Sequence, residues 1–89
     1  KLYNAYPNPF NPTTTLHYEL PKEVLVSCNI YDLRGHNIKS LVNSKQPAGY
    51  HSIKWDAKNN QDENVPAGMY IYMFQAGEFR QVRKIVLLK

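Results

Sequence analysis

The sequence predicts an all-β sandwich or barrel. Three observations carry this prediction: apolar and polar residues alternate with period two in several short stretches, turn residues separate those stretches, and none shows a helical period. At 89 residues the chain holds one domain, 1–89, and is too short for two. No repeat or low-complexity tract interrupts it.

The chain is organised around Tyr6-Pro7-Asn8-Pro9-Phe10-Asn11-Pro12. Each proline fixes φ, lacks a donor and biases the residue before it toward extended geometry, so this stretch runs extended or turns. Asn8 and Asn11 suit hydrogen bonding to nearby backbone. Tyr6 and Phe10 flank the Pro-Asn-Pro unit and are expected to anchor it to something apolar.

Thr13 to Leu20 alternates, with Leu16, Tyr18 and Leu20 on one face, and Pro21-Lys22 ends it. Val24 to Tyr31 alternates again, with Val24, Val26, Cys28 and Ile30 facing inward. Cys28 therefore reads as an inert buried thiol rather than a nucleophile. Asp32-Leu33-Arg34-Gly35 is a turn in which Gly35 supplies positive φ. His36 to Val42 is a less regular strand, with Ile38 and Val42 on one face and Leu41 on the other. Asn43 to Gly49 reads as a loop. In the strand Tyr50 to Asp56, His51, Ile53 and Trp55 share a face. A long polar loop follows, Ala57 to Ala67. Gly68 to Ala76 is apolar on both faces, which predicts a central strand covered on both sides. Ala76-Gly77-Glu78 is a tight hairpin turn. Phe79 to Lys89 is the last strand; its apolar residues change phase after Lys84, which predicts a bulge or burial of both faces. The count is six strands, or seven if the Pro-rich lead-in pairs at an edge, where proline is tolerated.

Composition narrows the function classes. The net charge is +4, but cations and acids are interspersed until the end, so no nucleic-acid footprint is read. No apolar run is long enough to span a bilayer and no signal peptide opens the chain. The single Cys28 excludes an intrachain disulfide and leaves the compartment open. A start at Lys1 rather than Met is expected of a piece of something longer.

The chemistry-bearing residues do not assemble into a motif. His17, His36 and His51 lie on separate segments, and none has a second ligand at metal spacing. Asp56, Asn59, Asn60, Asp62, Glu63 and Asn64 make an oxygen-rich loop. Lys58 stands where a calcium loop needs an oxygen ligand, and no glycine closes the turn. No Ser-His-Asp or Cys-His arrangement and no Gly-rich phosphate loop is readable. The expectation is no enzyme, no catalytic residue, no metal and no cofactor. The aromatics fit strand packing; Trp55, just before the long loop, is the residue to test for stacking on a sugar.

An ordered set of motifs runs through the chain: Tyr6-Pro7-Asn8-Pro9-Phe10-Asn11-Pro12-Thr13-Thr14, Ile30-Tyr31-Asp32-Leu33-Arg34-Gly35, Ala48-Gly49-Tyr50-His51 with Trp55-Asp56, Pro66-Ala67-Gly68-Met69-Tyr70-Ile71-Tyr72, and Lys84-Ile85-Val86-Leu87-Leu88-Lys89. Each is weak alone. Together they resemble the type A C-terminal sorting domain of proteins exported by the type IX (Por) secretion system, a family close to the Ig-like domain of the flagellar hook-capping protein. The resemblance spans essentially the whole chain.

It implies an Ig-like antiparallel β-sandwich of about seven strands. It also implies a non-catalytic secretion signal that directs an attached N-terminal cargo domain across the outer membrane, giving a secreted or cell-surface location reached through the periplasm. The partners implied are an outer-membrane shuttle and a sortase-like transpeptidase. Carried over residue by residue, the recognition elements are Pro7, Asn8, Pro9, Gly68, Tyr70, Lys84, Val86 and Lys89; an end at Lys89 fits a native C terminus. The terminal strand, tipped with Lys84 and Lys89, offers an edge for strand addition and charges for an acidic groove. If the strand and the Pro-rich segment are read together, they should be neighbours in the fold. Two other readings stand beside this one: a structural Ig-like spacer or assembly module, and an accessory carbohydrate-binding module, which predicts an exposed planar set of aromatics and would be favoured by an exposed Trp55 with Tyr50 or Tyr72 beside it.

Overall fold

The computed structural model describes residues 1–88. Its strands are β1 (Thr14–Leu20), β2 (Val24–Tyr31), β3 (Asn37–Gln46), β4 (Gly49–Trp55), β5 (Gly68–Ala76) and β6 (Phe79–Leu87). β1 and β4 pair antiparallel in a two-stranded sheet, and the other four make an antiparallel sheet in the order β3-β2-β5-β6. The alternation read in the sequence decides the packing. Leu16, Tyr18 and Leu20 of β1 meet Val26, Cys28 and Ile30 of β2 and Tyr70, Tyr72 and Phe74 of β5 in one core.

The lead-in forms no strand of its own, yet it bridges both sheets. Leu2 and Tyr6 pair with Tyr18 and Thr15 of β1, and Phe10 then pairs, in parallel, with Leu87 of β6. Its three X–Pro bonds are cis. It supplies the seventh edge segment through isolated bridges. Phe10 is its apolar anchor, at 1% exposure, whereas the Tyr6 side chain is 78% exposed and Tyr6 holds on only through its backbone pair with Thr15.

Four expectations need correction. β3 runs to Gln46, so the connection to β4 is only Pro47-Ala48 and not Asn43 to Gly49. Asn43 to Lys45 carry no apolar signal because they pair on an edge strand with both faces wet. Leu41 is not opposite in face to Val42 in any useful sense. The register shifts so that Cys28 faces Val42 and Asn29 faces Ser40, which leaves Leu41 in a bulge; both residues pack against the core. β5 is central, but only one face is covered: Met69 is exposed, and Ile71 and Met73 are half-buried. β6 has neither a bulge nor two buried faces. Its pairing with β5 is continuous, Ile85 and Leu87 are buried and Val82 is exposed. The phase change arose because Gln81 and Arg83, not apolar residues, hold inward positions before Ile85.

β3 and β6 are the outer strands of the larger sheet, and unpaired strand edges invite unwanted pairing. The long loop covers β3. Asn60 donates its backbone N–H to Ile38 O (2.9 Å), accepts at Oδ1 from Ser40 N–H (3.0 Å) and donates Nδ2 to Asn37 Oδ1 (3.1 Å). One asparagine thus stands in for a strand.

Candidate functional site

The same device closes β6. Asn8 Oδ1 accepts from Val86 N–H (3.0 Å), and Asn8 Nδ2 donates to Lys84 O (3.3 Å). Two residues on, backbone takes over: Phe10 N–H donates to Val86 O (2.9 Å) and Leu88 N–H donates to Phe10 O (2.8 Å). A proline segment cannot run as a full strand, because Pro7 and Pro9 have no N–H to give. The Asn8 carboxamide, through one N–H and its carbonyl oxygen, replaces the missing ladder rung. The outer edge of β6 from Lys84 to Leu88 is therefore occupied, so strand addition there would have to displace the lead-in.

Thr14 fixes the segment from beneath. It is the fully buried polar residue of the core, and its Oγ1 donates to Pro7 O (2.7 Å). It pairs with Trp55 across the small sheet. Trp55 is 0% exposed, with its ring 5.5 Å from Phe10 and 5.3 Å, edge-on, from Tyr70. Its indole N–H donates to Lys58 O (2.9 Å), so its polar handle is spent inside. Tyr72 is buried as well, and Tyr50 is exposed without them. The exposed Trp55 with a tyrosine beside it that would favour the carbohydrate-binding reading is therefore not formed by these three residues.

The described members of the predicted recognition set fall at one end of the sandwich. Pro7, Asn8 and Pro9 are exposed along β6; Lys84 is exposed and Val86 half-buried beside them. Gly68 pairs with Leu87 on the strand's other side and takes φ +145, a conformation that side chains rarely adopt. Tyr70 is 5% exposed; it pairs with Ile85 and donates its hydroxyl to Pro66 O (2.6 Å), so its part is to hold the loop-to-β5 junction. Burial, and secondarily the Asp32 charge, raises its phenol pKa. Lys89 lies outside the described residues.

Sequence reasoning missed three supporting residues: Thr14, Phe10 as a ladder partner, and Arg83. The Arg83 guanidinium sits on the inner side of β6 and donates to Asn4 Oδ1 (2.9 Å) and Leu2 O (3.2 Å), clamping the start of the lead-in. An arginine in a strand of alternating apolar residues was the available signal.

The other chemistry is spent on structure. Burial pushes the Cys28 thiol up to about 12. Backbone N–H groups of His36 and Arg34 lower the Asp32 carboxyl, which also accepts from the His36 ring (3.1 Å). In the oxygen-rich loop, Asn59 Oδ1 accepts from the N–H groups of Gln61 and Glu63, and Asp62 faces Lys58. Among the described residues no three His, Cys, Asp or Glu side chains converge as metal ligands.

The FlgD Ig-like domain, as a family, matches residues 9–78. The chain belongs to the FlgD Ig-like domain family. Among solved structures, FlgD from P. aeruginosa is similar at 26% identity with a TM-score of 0.62, over 83% of this chain and 57% of that one. Dimeric latent PorU from Porphyromonas gingivalis is similar at 20% identity and TM-score 0.73, over 96% of this chain and 9% of PorU. PorZ, an essential bacterial surface component of the type IX secretion system of the same organism, is similar at 19% identity and TM-score 0.63, over 99% of this chain and 11% of PorZ. At those two identities the likeness is one of fold. This FlgD-type domain thus spans a small part of two large proteins and over half of a third. No curated protein matches the chain.

Proposed function

We propose that this domain is a non-catalytic export signal that directs an attached cargo protein across the outer membrane through the type IX secretion system. One observation carries the reading: the Pro7-Asn8-Pro9 segment and the end of β6, some seventy-six residues apart in sequence, share hydrogen bonds and make one exposed surface. A receptor can therefore read the two signal elements together and only on a folded domain. The likeness in fold to small parts of PorU and PorZ supports the same system. The outer-membrane shuttle would engage this surface, and a sortase-like transpeptidase would act on the chain that precedes it, leaving the cargo secreted or at the cell surface.

A second reading is favoured by the family itself. An Ig-like domain of the FlgD type is also suited to a structural role in assembly. The two differ in one experiment. Residues 1–89 are fused to a fluorescent protein directed to the periplasm of a host with type IX machinery. Surface delivery supports the export signal; retention in the periplasm of a folded fusion overturns it and leaves the assembly module. Deleting Lys84 to Lys89 is a poor control, because it removes Ile85 and Leu87 from the core. Losing such side chains costs about 2–5 kcal/mol each, enough to unfold a small domain.

A further inference from the structure

The outer face of the four-stranded sheet is neither covered nor neutral. Its rows run across the strands: Tyr31, Ile71 and Lys84; then Asn29, Met73 and Val82; then Ser27, Gln75 and Arg80. Val82 is 54% exposed, and Leu33 in the β2–β3 turn is 63% exposed. Leu33 stands as a ridge between two shallow hollows, one against Ile71 and Met73 and the other against Gly68 and Met69. The strands of this sheet contain no Asp or Glu, yet they hold Lys39, Lys45, Arg80, Arg83 and Lys84. Of these, Lys45, Arg80 and Lys84 occupy outward positions, opposite Leu25, Gln75 and Ile71. None is in an ion pair within the described residues. The carboxylates at the margins lie outside the strands: Glu23 just before β2, Glu78 in the β5–β6 turn, and Asp32 in the β2–β3 turn, whose oxygens accept from Arg34 and His36.

We propose that this face docks a protein surface with an apolar centre and a carboxylate rim. Charge decides among the occupants. A second copy would bring Lys45, Arg80 and Lys84 against the same three cations, so self-association through this face is disfavoured. A lipid surface is the weaker fit, because Leu33 is the one apolar side chain on a projecting turn, while Ile71, Met73 and Val82 lie on the strands of the sheet. Methionines at the centre suit an irregular protein surface. Size sets the strength. Four strands spaced about 4.8 Å apart and about 30 Å long give roughly 550 Å², below the roughly 800 Å² per partner of a stable complex. The complex is therefore transient and salt-sensitive. This inference shares Lys84 with the export surface but does not depend on the export reading, since an assembly module would use such a face equally.

The test is an amide-shift titration of the whole domain with a designed amphipathic peptide whose leucine face is rimmed by glutamates. Its counterpart with lysines for the glutamates and phosphatidylglycerol vesicles are the comparisons. Expected shifts fall on Tyr31, Leu33, Ile71, Met73 and Val82 with the glutamate peptide. Arg80→Glu with Lys45→Glu should weaken binding about tenfold at low salt, and Val82→Ser should weaken it with little effect on folding. Lys54→Glu, on β4 of the opposite sheet, should leave it unchanged. Absence of shifts at millimolar peptide, equal binding of the lysine peptide, or binding to vesicles alone would each overturn the proposal.

Discussion

Replacing Asn8 by alanine is the sharpest test of how this domain holds its two ends together. The substitution removes two hydrogen bonds, one of 3.0 Å from Val86 N–H and one of 3.3 Å to Lys84 O. Each such bond contributes about 0.5–1.5 kcal/mol net. Asn8 is exposed, so water can reach the groups it leaves, and the loss belongs in the lower part of the summed range, at about 1.5 kcal/mol. Nothing in the core is touched. For a domain of this size that loss lowers Tm by roughly 6–12 °C. Urea unfolding should show a lower midpoint with an unchanged m-value. Hydrogen exchange gives the local reading: the Val86 amide should exchange roughly tenfold faster than the global destabilisation alone requires. A loss below about 0.3 kcal/mol with Val86 still protected would refute the idea that the Asn8 side chain serves as a ladder rung, well under what one such bond contributes.

Three other outcomes follow from the same structure. Cys28 should resist thiol reagents in the native state and react on unfolding in urea. Its folded pKa, about 12, lies above the unfolded value near 9. Its contribution is therefore complete below about pH 9 and is lost as pH rises toward 12, with stability falling through that window because the unfolded chain ionises first. The midpoint in urea should fall between pH 8 and pH 10.5, less steeply in Cys28→Ala; Tyr18 and Tyr72, raised chiefly by burial, contribute in the same direction. Trp55 fluorescence should be blue-shifted and unquenched by iodide or by added glycans, and Trp55→Ala should cost about 3–5 kcal/mol because the ring fills the space between Phe10 and Tyr70. Arg83→Lys should cost about 1–2 kcal/mol by losing the fork that spans Asn4 and Leu2, with faster exchange at Tyr3 and Tyr6.

Much of the sandwich was legible because its inner faces alternate cleanly. β1, β2, β4 and β5 read off the sequence to within a residue, since Leu16-Tyr18-Leu20, Val26-Cys28-Ile30 and Tyr70-Tyr72-Phe74 each mark a buried face. β3 is obscured in the sequence where alternation fails: bulges at Ile38 and Leu41 turn successive residues toward the core, and Asn43 to Lys45 are polar on a wet edge. β6 was misread because Arg83 takes a core-side position that its type disguises. The site was legible in its parts and not in its assembly. Periodicity assigns Pro7-Asn8-Pro9 and Lys84 to Leu88 to extended chain, but it carries no term for a side-chain amide acting as backbone. That substitution is what joins them.

If an export receptor reads this one surface, Lys84 offers the most direct test of it. Its side chain is exposed, and Asn8 bonds only to its backbone oxygen, so Lys84→Glu changes the charge without cutting the ladder. Lys54→Glu on the opposite sheet makes the same change in net charge elsewhere. Both fusions should fold, shown by Tm values close to the unsubstituted domain. The Lys84→Glu fusion should stay in the periplasm while the Lys54→Glu fusion reaches the cell surface. Equal delivery of both would contradict the export reading of this surface.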